Sequence, residues 1–205
     1  EEDIIILEKV EQIILFCLDI SQSMSDAFEI VEQCLTSFLS KIYSYKIVSI
    51  QGLIKFNSKV ELSVPLSPSI NNFENKCIYS TIDLKSHLWD ALSFGCDEII
   101  KFTLNSNGKN KFKNAVNRII VISDGDDQES LTSFIDITKK IKESQIIVDS
   151  VFFDLQNKYK ELITLSHLTG GLSFNPKDIT DKLNLFEDEA FLNYNKRINE
   201  NKALI

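Results

Sequence analysis

Apolar residues along this chain fall into short runs, separated by longer segments in which they recur every three or four positions. Strands buried on both faces carry apolar side chains at consecutive positions, so the runs predict strands. The predicted strands lie at 13–19, 47–56, 119–122 and 146–153, with a last short one at 172–174.

A different pattern marks residues 60–66, where apolar and polar side chains alternate. Alternation predicts a strand with one exposed face. Pro65 places this strand at a sheet edge, because proline cannot donate a hydrogen bond to a neighbouring strand. Only the turn at 57–59 separates it from the preceding strand, and so short a connection predicts an antiparallel hairpin.

Helices are predicted between the strands from apolar stripes at helical spacing. The first stripe consists of Met24, Phe28, Val31, Leu35, Phe38 and Ile42. Further helices are predicted to open at Ser86, to span 129–144, to include 162–168 and to begin near 179. Alternating helices and buried strands predict an α/β fold of the doubly wound, Rossmann-like type. We expect a mostly parallel six-stranded sheet with one antiparallel edge strand and helices on both faces.

The length of 205 residues fits one sizeable α/β domain. We expect this domain at 12–190, after a charged lead-in at 1–11 and before a polar tail at 191–205. The lead-in contains one apolar patch at 4–7, which could form a short extra strand.

Acidic residues close two of the predicted strands. Asp19 ends the first strand, and Asp124 follows the strand at 119–122. An unpaired carboxylate is costly to bury, so both are expected at the rim of the sheet. In doubly wound sheets the binding site lies beyond the carboxyl ends of the strands, where the strand order reverses. If these two strands are neighbours there, the two carboxylates converge.

Two hydroxyl groups follow Asp19 at alternate positions, on Ser21 and Ser23. With the carboxylate they supply three hard oxygen donors in one tight turn, the kind of ligand that Mg²⁺ accepts. A structural interpretation is also open, because Ser23 and Asp26 match a helix capping box and Ser21 could hydrogen-bond the turn.

Composition narrows the class of partner. The net charge of −8 argues against a nucleic-acid-binding surface, which usually carries a basic stripe, and favours a cation or a basic partner. No signal peptide or apolar run of membrane-spanning length is visible, so we expect an intracellular, cytoplasmic location. The cysteines lack metal-ligand spacing and there are only two histidines, so no structural zinc site is predicted.

Three motifs carry a resemblance to a known family. They are Asp19-Ile20-Ser21-Gln22-Ser23, Ser86-His87-Leu88-Trp89-Asp90-Ala91-Leu92 and Ile122-Ser123-Asp124-Gly125. In their order and separations they resemble the motifs of a von Willebrand factor type A domain, a fold shared with integrin inserted domains. The resemblance covers residues 12–190 and implies a metal-ion-dependent adhesion site built from these loops.

By this resemblance, Ser21 and Ser23 would bind Mg²⁺ directly through their hydroxyls. Asp19 and Asp124 would act partly through bridging waters and would orient the serines. Mn²⁺ or Ca²⁺ are alternatives to Mg²⁺ as the bound ion.

A third loop of the family contributes a further hydroxyl, usually from threonine, just before the second motif. Ser86 occupies that position in this chain. Thr81 is the alternative if the loop is drawn differently. The structural alternative for Ser86 is the N-cap of the helix that starts there.

The resemblance implies a non-enzymatic module that binds a partner protein through the metal. Neutral hydroxyl ligands leave the ion incompletely neutralised, so an exposed Glu or Asp of the partner would complete its coordination shell. Helix N-termini near Met24 and Leu88 would favour the incoming anion. Gln22, His87 and Asp126 are expected to form a polar rim around the ion.

Two other functions stay open. A type A domain could act as a scaffold with an idle metal site inside a larger intracellular protein of the ubiquitin-ligase-like or copine-like kind. A Mg²⁺-dependent phosphatase also ends its first strand in Asp, but it needs a second Asp two residues later, where this chain has Ser21. The hydrolase motif G-x-S-x-G and the nucleotide-binding glycine motifs are absent from the sequence.

The acids after Asp124 do not match a calcium-binding loop. A calcium-binding loop beginning at Asp124 would need Gly and Glu at the positions held by Glu129 and Ile135. Asp126 and Asp127 are therefore expected to be solvated acids that deepen the negative field near the site.

Overall fold

The computed structural model describes residues 10–68, 73, 83, 85–112, 114–152 and 160–174. The strands are β1 (Gln12–Asp19), β2 (Ser49–Phe56), β3 (Val60–Ser67), β4 (Val116–Ser123), β5 (Ile147–Phe152) and β6 (Ser173–Phe174). The helices are α1 (Phe28–Ser44), α2 (Leu88–Thr103), α3 (Phe134–Glu143) and α4 (Lys160–Leu168). A 3₁₀ helix, Gln22–Ala27, precedes α1.

The six strands form one sheet in the order β3-β2-β1-β4-β5-β6. Among them, only β3 runs antiparallel to its neighbour, as the alternating pattern and Pro65 predicted. The chain winds outward from β1 in one direction and from β4 in the other, so the strand order reverses between these two strands. The predicted doubly wound architecture is confirmed, and Asp19 and Asp124 lie at the carboxyl ends of the two strands that flank the reversal.

Helices cover both faces of the sheet. On β1, Ile14, Phe16 and Leu18 pack in the cluster that contains the buried side of α1. Leu15 and Cys17 point to the opposite face and pack with α2, α3 and α4. Burial on both faces explains why the sequence of β1 is continuously apolar, and it fixes the direction in which the strand presents its last residue.

Several element boundaries differ from the prediction. The segment at 22–27 is a 3₁₀ helix, and α1 begins only at Phe28. Helix α3 begins at Phe134 rather than near 129, because the Ser133 hydroxyl accepts a hydrogen bond from the Asp136 amide and caps the helix there. The predicted helix from 179, the patch at 4–7 and the tail at 191–205 lie outside the described residues.

A buried ion pair crosses the sheet near the amino ends of the strands. Arg118 of β4 donates from Nη2 to Asp149 Oδ2 of β5 at 2.8 Å, and from Nη1 to Gln12 Oε1 of β1 at 3.2 Å. Arg118 and Asp149 are both almost completely buried. Asp149 Oδ1 also accepts a hydrogen bond from the Leu172 amide at 2.8 Å. The ion pair and Gln12 thus connect β1, β4 and β5 near the amino ends of the strands, opposite the end at which Asp19 lies.

Removing one partner of this pair should be costly. We expect Asp149→Ala to lower the free energy of unfolding by about 3–5 kcal/mol, because the Arg118 charge then stays buried without its carboxylate. The double variant Arg118→Met with Asp149→Leu should lose much less, since neither charge remains. Urea unfolding curves measure both. Equal losses in the single and double variants would contradict this account.

Candidate functional site

Asp19 is the residue around which the site is built. It is the last residue of β1, and its side chain is 0% exposed. Oδ1 accepts a hydrogen bond from the Ser21 amide at 2.9 Å. Oδ2 accepts from the Ser86 hydroxyl at 3.1 Å and from the Ser123 hydroxyl at 2.7 Å. One carboxylate therefore ties together the loop after β1, the segment before α2 and the end of β4.

Burial raises the pKa of Asp19 to about 6. The hydrogen bonds from Ser21 and Ser123 act in the opposite direction, and the neighbouring charge of Asp124 raises the pKa further. Among the described residues, hydrogen-bond donors hold the charged form of Asp19 in place, but no positive charge is found to act on its pKa. A cation close to the two carboxylates would supply that charge.

Ser21 and Ser23 lie side by side in the turn after β1. Their hydroxyl oxygens are 3.1 Å apart, with Ser21 buried and Ser23 exposed. Ser21 occupies the N-cap position of the 3₁₀ helix, but its side chain makes no capping hydrogen bond. Ser23 lies inside that helix, so it is not at the N-cap that a capping box requires.

Ser86 is buried just before α2, and the structure separates its two interpretations. The N-cap residue of α2 is His87, and no side chain of this residue caps the helix. The Ser86 hydroxyl is directed to Asp19 instead. The third loop also reaches the first through Asp83, whose carbonyl accepts the Gln22 amide at 2.9 Å. Thr81, the alternative to Ser86, lies outside the described residues.

Asp124 follows β4 directly and is 9% exposed. Its Oδ1 accepts the Asp126 amide at 3.2 Å. Gly125 adopts φ 84, a left-handed conformation that glycine tolerates without strain, and its amide donates to the Ser123 hydroxyl at 2.9 Å. This tight turn holds the Asp124 carboxylate at the rim of the sheet.

The spacing of the hydroxyl donors suits the coordination geometry of Mg²⁺. Neighbouring ligands of an octahedral Mg²⁺ ion lie about 3 Å apart, since each metal–oxygen distance is about 2.1 Å. The 3.1 Å between the Ser21 and Ser23 hydroxyls matches that separation. Within the described residues, no group of three or more His, Cys, Asp or Glu side chains could hold a metal ion. A cation here would therefore depend on hydroxyl oxygens as well as on Asp19 and Asp124, and those residues fit it.

The three predicted rim residues lie in the segments that carry the candidate ligands. Gln22 is exposed, next to Ser21. His87 is half-buried, with Nδ1 3.9 Å from Asp90 Oδ2. Asp126 is half-buried, and its Oδ2 accepts a hydrogen bond from Gln128 Nε2 at 3.2 Å. His87 thus lies near a carboxylate in the first turn of α2, at a distance too long for a hydrogen bond.

Sequence reasoning missed the role of Ser123. Its hydroxyl makes a shorter hydrogen bond to Asp19 than that of Ser86 does. One signal was available: a hydroxyl residue at the end of a buried strand, directly before an acid, occupies the position beside the last residue of the neighbouring strand.

The prediction that Asp127 is a solvated acid is wrong. Asp127 Oδ1 accepts the Trp89 amide at 3.2 Å and the Ser130 hydroxyl at 2.6 Å. The Ser130 hydroxyl in turn accepts the Asp90 amide at 3.2 Å. Together these two side chains satisfy amides in the first turn of α2, where unpaired donors are left by the helix geometry.

The family of the chain is shown by direct comparison. The family model of the von Willebrand factor type A domain matches residues 14–188, so the chain belongs to this family. Domains of this family are generally interaction or adhesion modules that mediate contacts between proteins. No curated protein matches the chain.

Solved structures share the fold, and two of the three described here are named as von Willebrand factor type A proteins. A von Willebrand factor type A protein from Catenulispora acidiphila is 13% identical, with a TM-score of 0.68 over 88% of this chain and 42% of that one. The SpRpn10 VWA domain is 13% identical, with a TM-score of 0.63 over 86% of this chain and 95% of that one. The pilus adhesin SpaC from Lactobacillus rhamnosus GG is 12% identical, with a TM-score of 0.65 over 88% of this chain and 29% of that one.

At such identities the likeness concerns the fold alone. The chain spans less than half the length of the Catenulispora and Lactobacillus proteins. None of the helices in the described part of the chain is both long and apolar enough to cross a lipid bilayer.

The pKa of Asp19 leads to a testable pH dependence in the presence of chelator. The carboxyl has a pKa of about 6 in the folded protein and about 4 in an unfolded chain, so the folded state binds more protons between these values. The stability contribution of Asp19 is therefore complete below pH 4 and is lost as the pH rises through 6. We expect wild type to lose up to about 3 kcal/mol relative to Asp19→Asn over this range.

Asn preserves the shape of the side chain, and the neighbouring hydroxyls can rotate to accept from its amide. Urea unfolding at several pH values measures the difference. Asp26→Asn, at an exposed carboxylate in the following 3₁₀ helix, is the matched control and should track wild type. Parallel curves for wild type and Asp19→Asn would show that burial of this charge carries no stability cost.

Proposed function

We propose that this type A domain binds a partner protein through a divalent cation, Mg²⁺ in the first instance, and an acidic side chain of the partner. The observation that carries the proposal is the pair of Ser21 and Ser23 hydroxyl oxygens, 3.1 Å apart, directly beside the buried Asp19. Ser21, Ser23 and Ser86 would hold the ion with hydroxyl oxygens, while Asp19 and Asp124 would supply negative charge. The bound ion would supply an electrophilic centre for a carboxylate oxygen of the partner.

The hydrogen-bond directions support this assignment. The Ser86 hydroxyl donates to Asp19 Oδ2, so its lone pairs are directed away from the carboxylate. The Ser123 hydroxyl donates to the same oxygen. Asp19 therefore fixes the rotation of the Ser86 and Ser123 hydroxyls and need not bind the cation directly. A rigid set of oxygen donors costs little reorganisation when a cation binds.

The charge of the chain constrains the partner. With a net charge of −8, the domain repels an acidic surface at long range. Attraction for a single carboxylate must therefore come from the ion at contact distance, since salt screens charges beyond about 8–10 Å. The partner should present one exposed Glu or Asp within a neutral or basic surface.

Mg²⁺ should raise the melting temperature of the wild-type domain. At ten times its dissociation constant, a ligand of the folded state adds about 1.4 kcal/mol of stability. For a domain of this size that corresponds to about 3–5 °C. The double variant Ser21→Ala with Ser23→Ala should lose this shift, whereas Ser25→Ala should keep it. Ser25 is an exposed hydroxyl in the same 3₁₀ helix and serves as the matched control.

Differential scanning calorimetry in chelator and in Mg²⁺ distinguishes the outcomes. A shift of equal size in the double serine variant would refute the assignment of the ligands. No shift in any protein would favour the alternative, a scaffold domain whose metal site is idle.

The same residues predict the absence of phosphatase activity. The position two residues after Asp19, where a phosphatase of this type needs a general acid, holds Ser21. Purified protein with Mg²⁺ should therefore not hydrolyse a generic phosphate monoester above the rate of a buffer blank. Turnover that is present in wild type and lost in Asp19→Asn would establish the enzyme reading.

A further inference from the structure

Two large apolar side chains stand in solvent beside the candidate site. Leu131 is 97% exposed and Ile135 is 75% exposed. Leu131 is the most exposed of the large apolar residues in the described part of the chain. Neither side chain therefore contributes to the buried core.

Neighbouring residues of α3 show that this exposure is specific to one side. Phe134 packs on Trp89, with ring centroids 5.5 Å apart, and Ile137 is completely buried. These two positions provide the inward face of α3. Leu131, in the segment before α3, and Ile135, in the first turn of α3, are both exposed, and we call them the outer apolar pair.

The backbone that carries Leu131 is firmly held. The amides of Leu131 and Thr132 donate to the two carboxylate oxygens of Asp90 at 2.9 and 2.8 Å. Burial acts to raise the pKa of Asp90, but these hydrogen bonds outweigh it and hold that pKa below its ordinary value. Ser133 fixes the start of α3 immediately afterwards. A side chain presented on such a backbone loses little entropy on binding, as energetically important contact residues require.

The outer apolar pair belongs to the same edge as the candidate site. The Gln128 amide donates to the Ser86 carbonyl at 2.6 Å, which joins the loop after β4 to the proposed third-loop ligand. Leu131 follows Gln128 by three positions, so about 10 Å of backbone at most separates it from the residue that is hydrogen-bonded to Ser86. An extended peptide covers that distance in about three residues.

The charged residues near the outer apolar pair limit the kinds of partner that could cover it. Acidic residues lie close to it along the chain, at Asp126, Asp127, Glu129 and Asp136, and Asp90 accepts a hydrogen bond from the Leu131 amide. The nearby cations are engaged in ion pairs: Lys85 with Glu129, and Lys139, one turn after Ile135, with Glu143. An anionic lipid surface would be repelled, whereas a protein segment with basic or neutral residues around an apolar side chain is complementary.

We infer that Leu131 and Ile135 form a second contact for the partner held at the metal edge, and that they receive an apolar side chain about three residues from its acidic one. This contact depends on the metal-dependent binding proposed above. The acidic residue of the partner then makes its binding depend on the metal ion. The apolar residue of the partner distinguishes it from the many other proteins with an exposed Glu or Asp.

A defined set of synthetic peptides tests the inference. Each peptide carries one Glu in a background of Ser, Gly and Lys, and one Leu is placed one to six positions to either side or left out. Binding of each immobilised peptide is measured by surface plasmon resonance in Mg²⁺ and in EDTA. At the best spacing, Leu should tighten Mg²⁺-dependent binding about tenfold, as expected for burying one such side chain.

The double variant Leu131→Ser with Ile135→Ser should reduce this gain to within about twofold and leave binding of the Leu-free Glu peptide unchanged. Its melting temperature should match wild type, because both side chains are exposed. Tyr43→Ser, at a residue of α1 that is 76% exposed, is the matched control and should keep the full gain.

The possible failures are distinguishable. If no Glu peptide binds in a Mg²⁺-dependent way, the proposed function is wrong and this contact falls with it. If Glu peptides bind but Leu adds nothing, or its gain survives in the Leu131→Ser, Ile135→Ser variant, only the second contact is refuted. Self-association of the domain that this variant abolishes, seen by sedimentation, would assign the outer apolar pair to a second copy of the chain instead.

Discussion

The arrangement of this edge depends on one buried carboxylate that receives hydrogen bonds from three separate segments. Asp19 is placed by a strand whose two faces are both covered, so it cannot turn towards solvent without disturbing the centre of the sheet. Its donors come from Ser21, Ser86 and Ser123. A buried charge that is hydrogen-bonded but lacks a counter-charge is costly for stability, and such a cost is typical of sites that bind something.

Much of this arrangement could be predicted from local pattern. The continuous apolar run of β1 ends at Asp19, and a strand buried on both faces must present its last residue at the rim. Pro65 and the alternating residues around it located the antiparallel edge strand. Two strands that end in acids indicated where the order reverses, because a doubly wound sheet collects its polar ends there. These features could be predicted from single segments because each depends only on which residues of that segment are buried.

Features that join distant segments could not be read in the same way. The Ser86 hydroxyl could either cap the helix or contact Asp19, and the neighbouring residues in the sequence do not distinguish these two roles. Asp127 caps a helix that starts 39 residues earlier in the sequence, at Leu88. Arg118 and Asp149 lie within strands that otherwise read as apolar, and their pairing emerges only when β4 and β5 are neighbours. In each case the partner is set by the tertiary fold.

The chain belongs to the von Willebrand factor type A family, and its own residues determine what the edge around Asp19 can bind. The central claim is that the edge around Asp19 holds a divalent cation. Addition of substoichiometric Mn²⁺ to the ¹⁵N-labelled domain tests it directly, because the paramagnetic ion broadens nearby amide signals. The amides of Ser21, Ser23, Ser86 and Asp124 should broaden first, while those of Val116 and Ile147 at the opposite edge stay sharp. Broadening centred on other acids, such as Asp136 and Glu143 of α3, or spread evenly over the acidic surface, would contradict the claim.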